Sequence, residues 1–111
     1  MTKHTRSDGK VAVLYSTGFG AGWSTWADEG EKELLLFDPH IAEIVDEYPL
    51  NSEERQERIE QIFALKGYNS YIGGIDGLTI MWLDPNTVFR VHEYDGAESI
   101  ILRENDDWHV A

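Results

Sequence analysis

After Gly67 the hydrophobic period changes from helical to alternating, and that change restricts the fold more than any other feature. Between Asp38 and Lys66 apolar residues recur at helical spacing, whereas from Leu78 to Arg103 they alternate. Ile41, Ile44, Val45 and Tyr48 fall at i, i+3, i+4 and i+7, one stripe of a helix. Asp38 can cap that helix, Pro39 suits its first position, and Pro49 stops it. A second helix is predicted from Asn51 or Ser52 to about Lys66, with Gly67 just past its end. Its apolar face reads Ile59, Ile62, Phe63 and Leu65, and Glu53, Glu54 and Glu57 suit the positive end of its dipole.

The alternating part predicts strands. Residues 78–83 (LTIMWL) place Leu78, Ile80 and Trp82 on one face and Thr79, Met81 and Leu83 on the other. Asp84-Pro85-Asn86 is a turn, residues 87–94 alternate Phe89 and Val91 against Arg90 and His92, and Asp95-Gly96 is a two-residue hairpin turn leading into residues 98–103. The pattern predicts a three-stranded antiparallel meander, with an edge segment at Trp108 and Val110. Near the N-terminus, residues 11–15 (VAVLY) predict a buried strand. Residues 33–37 (ELLLF) predict a second strand paired with it, across a glycine-rich hairpin connection spanning residues 16–32. Residues 68–72 are weakly strand-like and end at Gly73-Gly74. The expected fold is α+β: a small antiparallel sheet, built from the C-terminal meander and the N-terminal strands, with two helices packed on one face. Residues 1–10 read as a flexible leader, and residues 11–111 as a single domain.

Charge narrows the function. With 21 acidic residues against 9 basic ones the formal net charge is -12, so the field of the molecule opposes direct contact with nucleic-acid phosphates or an anionic membrane. There is no cysteine, hence no disulfide, thiolate metal site or cysteine nucleophile. No stretch is long enough for a membrane span or a signal peptide, which predicts a soluble cytoplasmic protein. The acids are concentrated: residues 28–60 hold twelve of them against three bases. Glu43, Asp46 and Glu47 point away from the apolar stripe of the first helix, and Glu53, Glu54, Glu57 and Glu60 do so on the second. Such an array can occupy a basic surface on a partner; it can equally be a solvated helix face, diluted here by Arg55 and Arg58.

Two further clusters can carry chemistry. In STGFGAGWSTW (residues 16–26), Gly18, Gly20 and Gly22 let backbone N–H groups converge on an anion. Ser16, Thr17, Ser24 and Thr25 add hydroxyls, and Trp23 and Trp26 offer flat faces to a base. This predicts a site for a nucleotide-like ligand; the plainer alternative is a hairpin that folds both tryptophans onto the core. No Walker lysine and no third dinucleotide glycine is present. On the last strands, Arg90 and His92 share a face about 7 Å apart. Arg90 can grip a phosphate, or it can pair with Glu98 across the turn. His4, His40 and His109 are scattered, so neither a metal nor another cofactor is expected, and no catalytic residue is assigned.

The segments YSTGFGAGWSTW (residues 15–26) and FRVHEYDGAESI (residues 89–100) resemble a family of small proteins encoded by bacteriophages and prophages. Its members share a YST-G-GAGW-TW opening and an FRI-EYDG-E ending around a variable middle. The basic leader is outside that pattern, and His92 stands where an acid or polar residue is expected. The resemblance implies an accessory protein acting in the host cytoplasm. Small acidic phage proteins of this kind are often inhibitors of bacterial defence, of the anti-CRISPR or anti-restriction type. The functional expectation is therefore a non-catalytic antagonist of a host defence protein with a basic surface. The alternative is a module that sequesters or cleaves a nucleotide-derived defence signal through the glycine-rich loop. Either is compatible with an oligomer.

Overall fold

The computed structural model describes residues 3–17, 22–25, 27–50, 52–68, 75, 77–94, 97–102 and 109–110. Its elements run β1 (Val11–Ser16), α1 (Glu29–Phe37), α2 (Pro39–Glu47), α3 (Glu53–Lys66), β2 (Leu78–Leu83), β3 (Val88–Tyr94), β4 (Ala97–Leu102) and β5 (His109–Val110). The fold is α+β, with the strands in two small antiparallel sheets. In the first, β1 pairs with β2 so that Val11 faces Leu83 and Ser16 faces Leu78. In the second, β3 lies between β4 and β5.

Two expectations change here. Residues 33–37 are not a strand beside β1; they are the C-terminal half of α1. Leu, Glu and Lys are good helix formers, and Glu29 and Glu31 sit in the first turn, where the dipole favours them. A short run of leucines reads alike as a buried strand or a buried helix turn, and the acids before it decide for the helix. The predicted meander also divides. β2 pairs with β1 and not with β3, because the chain turns out of the first sheet at Asp84–Thr87. There the Thr87 N–H donates to the Asp84 carbonyl at 3.1 Å, and Asn86 adopts a left-handed φ of 71°. β1 offers β2 six consecutive partners.

α2 and α3 follow the sequence closely. The Asp38 carboxylate accepts from the N–H groups of His40 and Ile41, at 2.9 and 3.0 Å. Ser52 caps α3, and Gly67 closes it in the left-handed conformation, φ 70°. Leu65 is not part of the α3 apolar face but is 82% exposed. It lies two residues past Phe63, about 200° around the helix, so both cannot face inward. The inward positions are Arg55 and Ile59. Residues 68–72, apart from Tyr68, lie outside the described residues, as do Gly73-Gly74, the Asp95-Gly96 turn and Trp108. Residues 4–10, read from the sequence as leader, turn back onto β1: Gly9 N–H donates to the Arg6 carbonyl at 2.9 Å and Ala12 N–H to the His4 carbonyl at 2.9 Å.

β1 has apolar contacts on both faces. Ala12 and Leu14 join Trp23, Leu35, Ile41, Ile59 and Leu78 in one cluster. Val11 and Val13 join Leu36, Phe37, Leu83 and Phe89 in the other. The end of α1 supplies both, Leu35 to the first and Leu36 and Phe37 to the second. Each such buried side chain contributes about 1.5–3 kcal/mol relative to exposure.

Candidate functional site

The described residues at the two ends of the glycine-rich segment, Ser16 on one side and Trp23 and Thr25 on the other, surround a carboxylate of the protein itself. Glu98 on β4 is 3% exposed. Its Oε1 accepts the Ser16 backbone N–H at 3.0 Å. Its Oε2 accepts the N–H of Trp23 at 2.8 Å and of Thr25 at 3.1 Å, and the Thr25 hydroxyl at 2.8 Å. These donors compensate the carboxylate for water lost on burial. Gly22 is required for the wrap: a Cβ there would lie 2.7 Å from Glu98 Oε2 and press on the Thr25 hydroxyl, both already held in hydrogen bonds. Gly22→Ala is therefore expected to lower stability by about 1–3 kcal/mol in thermal unfolding. Gly30→Ala, with nothing within 4 Å of the new Cβ, is expected to be neutral or to stabilise by up to about 1 kcal/mol.

The predicted ligand-binding residues separate accordingly. Ser16, Trp23 and Ser24 are buried, and Thr17 is exposed, its N–H donating to the Gly77 carbonyl at 3.2 Å. Trp23 offers no open face for a base. Its indole N–H donates to the Leu35 carbonyl at 2.7 Å, and its ring meets Phe63 edge-on at 5.5 Å. Gly18, Gly20 and Trp26 lie outside the described residues. Arg90 does not pair with Glu98. Arg90 is opposite Ile101 and Glu98 opposite Glu93, which puts the two side chains on opposite faces of the hairpin. Arg90 and His92 share the exposed face, with Tyr94.

The acidic positions behave as a set. Glu43, Asp46 and Glu47 on α2, and Glu53, Glu54, Glu57 and Glu60 on α3, are all exposed. Glu54 accepts from Arg58 at 3.2 Å, Glu60 from Gln56 at 3.4 Å, and Asp46 lies 3.9 Å from His4. Glu53, Gln56, Glu57 and Glu60 line a shallow hollow of about 330 Å³.

A second buried carboxylate joins the two helices. Besides capping α2, Asp38 accepts from the Lys66 ammonium at 2.8 Å and the Tyr68 hydroxyl at 2.5 Å. Burial pushes its carboxyl up, but the bonds from Lys66, Tyr68 and the Ile41 N–H outweigh this and hold it below the ordinary value. Burial, with Asp38 as its partner, pushes the Tyr68 phenol far above its ordinary range. Sequence spacing identifies Asp38 only as a cap, because Lys66 and Tyr68 reach it from 28 and 30 residues away. Among the described residues no three His, Asp or Glu side chains converge as a metal site, and no helix is long and apolar enough to cross a membrane.

The fold and this geometry define a small α+β protein with a carboxylate-locked loop and an acidic helical face. Searches with protein-family models, among curated proteins and among solved structures gave no match.

Proposed function

We propose that this protein is a non-catalytic binding protein that antagonises a bacterial defence component by laying the acidic face of α2 and α3 on a basic surface of its target. The observation that carries this reading is that all seven carboxylates, from Glu43 to Glu60, are exposed on two adjacent helices. Fixed carboxylates on rigid elements steer a basic partner toward one face and repel acidic competitors. The defence target and the host cytoplasm as the place of action come from the resemblance to phage-encoded proteins. The alternative ligand site in the glycine-rich loop is not favoured, since the N–H groups of Ser16, Trp23 and Thr25 already donate to Glu98.

Affinity purification from an expressing bacterial host supplies the partner, and association kinetics at rising salt test the mechanism. The on-rate is expected to fall by about tenfold or more between low and high ionic strength. Reversing Glu53, Glu54 and Glu57 to lysine is expected to lower it by a similar factor at low salt, with folding retained because all three side chains are exposed. A rate indifferent to both changes would refute the acidic face as the binding surface.

A further inference from the structure

The outer edge of β2 carries backbone groups that neither the core nor the glycine-rich loop takes up. On β1 the N–H groups of Ala12 and Ser16 point away from β2, donating to the His4 carbonyl at 2.9 Å and to Glu98 Oε1 at 3.0 Å. Residues opposite one another in an antiparallel pair either both bond across the ladder or both face away from it. Trp82 and Leu78, opposite Ala12 and Ser16, therefore turn their N–H and C=O groups away from β1, and Ile80 between them does the same. The Thr17 N–H, donating to the Gly77 carbonyl at 3.2 Å, marks the alternate set, Gly77, Thr79 and Met81, as the one bonded to β1. Leu78 is satisfied on its outer side: its N–H donates to the Ile75 carbonyl at 3.2 Å, and its carbonyl accepts from Arg55. Ile80 and Trp82 differ. Among the described residues no strand lies beyond β2, and none bonds to the outward groups of these two.

A groove of about 370 Å³ runs beside this edge, with Thr79, Ile80 and Trp82 on one side and Val45, Tyr48 and Leu50 on the other. Ile80 and Trp82 are half-buried, and Leu50 is exposed. An edge that offers N–H and C=O groups at every second residue matches one kind of ligand, an extended polypeptide backbone, whose own groups recur at the same spacing of about 6.6–7 Å. A nucleotide or a small metabolite has no such repeat. Alternate side chains of an added strand would lie against Val45, Tyr48 and Leu50, which asks for apolar residues there. A second copy of this chain brings another net charge of -12 and is repelled, whereas the same field draws in a basic segment. We propose that the outer edge of β2 takes an extended segment of a partner protein as an added strand, apolar at alternate positions with lysine or arginine between them. The proposal does not rest on the acidic-face reading.

Amide hydrogen exchange of the full chain, read residue by residue by NMR, tests it with an end-capped hexapeptide of alternating lysine and valine. In the chain alone the Ile80 and Trp82 amides are expected to exchange at least tenfold faster than those of Thr79 and Met81, which bond to β1. Saturating peptide is expected to slow the first two at least tenfold, with a Kd of about 0.1–1 mM. The same peptide N-methylated at every amide, or with glutamate for lysine, is expected to bind at least tenfold more weakly at low salt. Ile80→Pro removes an outward N–H and no bond to β1, and proline is tolerated on an edge strand. This variant is expected to keep Thr79 and Met81 protected and to lose the peptide; the methylated peptide gives the same reading on the native chain. Ile80 and Trp82 amides as slow as Thr79 and Met81 in the chain alone would show the edge already covered and overturn the proposal. So would no protection at millimolar peptide, equal binding of the methylated or glutamate peptide, or undiminished binding by folded Ile80→Pro. Protection that grows with protein concentration would give the edge to a second copy and overturn it too.

Discussion

Replacing Glu98 by alanine is expected to cost about 3–5 kcal/mol of folding stability, read from urea denaturation at neutral pH. The change strands the N–H groups of Ser16, Trp23 and Thr25, together with the Thr25 hydroxyl, where the first two lie in buried surroundings. A domain of this size has about 5–15 kcal/mol in total, so the variant is expected to sit near the edge of folding. Glu98→Gln is also expected to destabilise. An amide keeps one oxygen but presents an NH2 group to donors wherever the other oxygen stood. A strand-surface ion pair with Arg90 would have predicted a loss of at most about 1 kcal/mol, so the magnitude itself separates the two descriptions of Glu98.

The second large effect is expected at Asp38. Asp38→Ala removes the α2 cap and leaves Lys66 and Tyr68 without their shared acceptor, at a cost of about 2–4 kcal/mol. Asp38→Asn keeps a capping oxygen and loses the ion pair, so a smaller cost is expected. The pH dependence has a definite sign. The folded carboxyl titrates below its ordinary value, so its contribution is full above about pH 5 and is lost as pH falls through the folded value. The stability gap between the native chain and Asp38→Asn is therefore expected to be constant from neutrality to about pH 5 and to close below pH 4. Tyr68 titrates too high to produce a matching alkaline loss near neutral pH. A gap that widens on acidification would contradict the Asp38–Lys66–Tyr68 arrangement.

What the sequence made legible was what local rules govern. The cap at Asp38, the stop at Pro49, the left-handed Gly67 and the alternation of β3 are consequences of residues within a few positions of each other. Pairing across distance was less accessible. The residues 33–37 carry no period of their own, and β2 is apolar on both faces, so neither names its neighbour. The position of Glu98 was recoverable in part. A two-residue turn at Asp95-Gly96 sets Tyr94 opposite Ala97, and counting back puts Glu98 on the face of Val91 and Ile100 and Arg90 on the other. A carboxylate on a core face requires donors, and the loop with backbone N–H groups to spare is the glycine-rich one. Arg55 was hidden by its company: in a helix of acids and amides its charge reads as surface, and only the approach of the Leu78 carbonyl turns it inward.

The bond between Ser16 and Glu98 spans 82 positions. During synthesis the opening strand and its loop leave the ribosome long before their acceptor exists. Until β4 emerges, these amides have only water or wrong partners, and loops closed over such spans form slowly. The β3–β4 hairpin is therefore the latch for the earlier-made end of β1. Chains truncated before residue 98 are expected to open more often at β1 and to be cut faster by proteases.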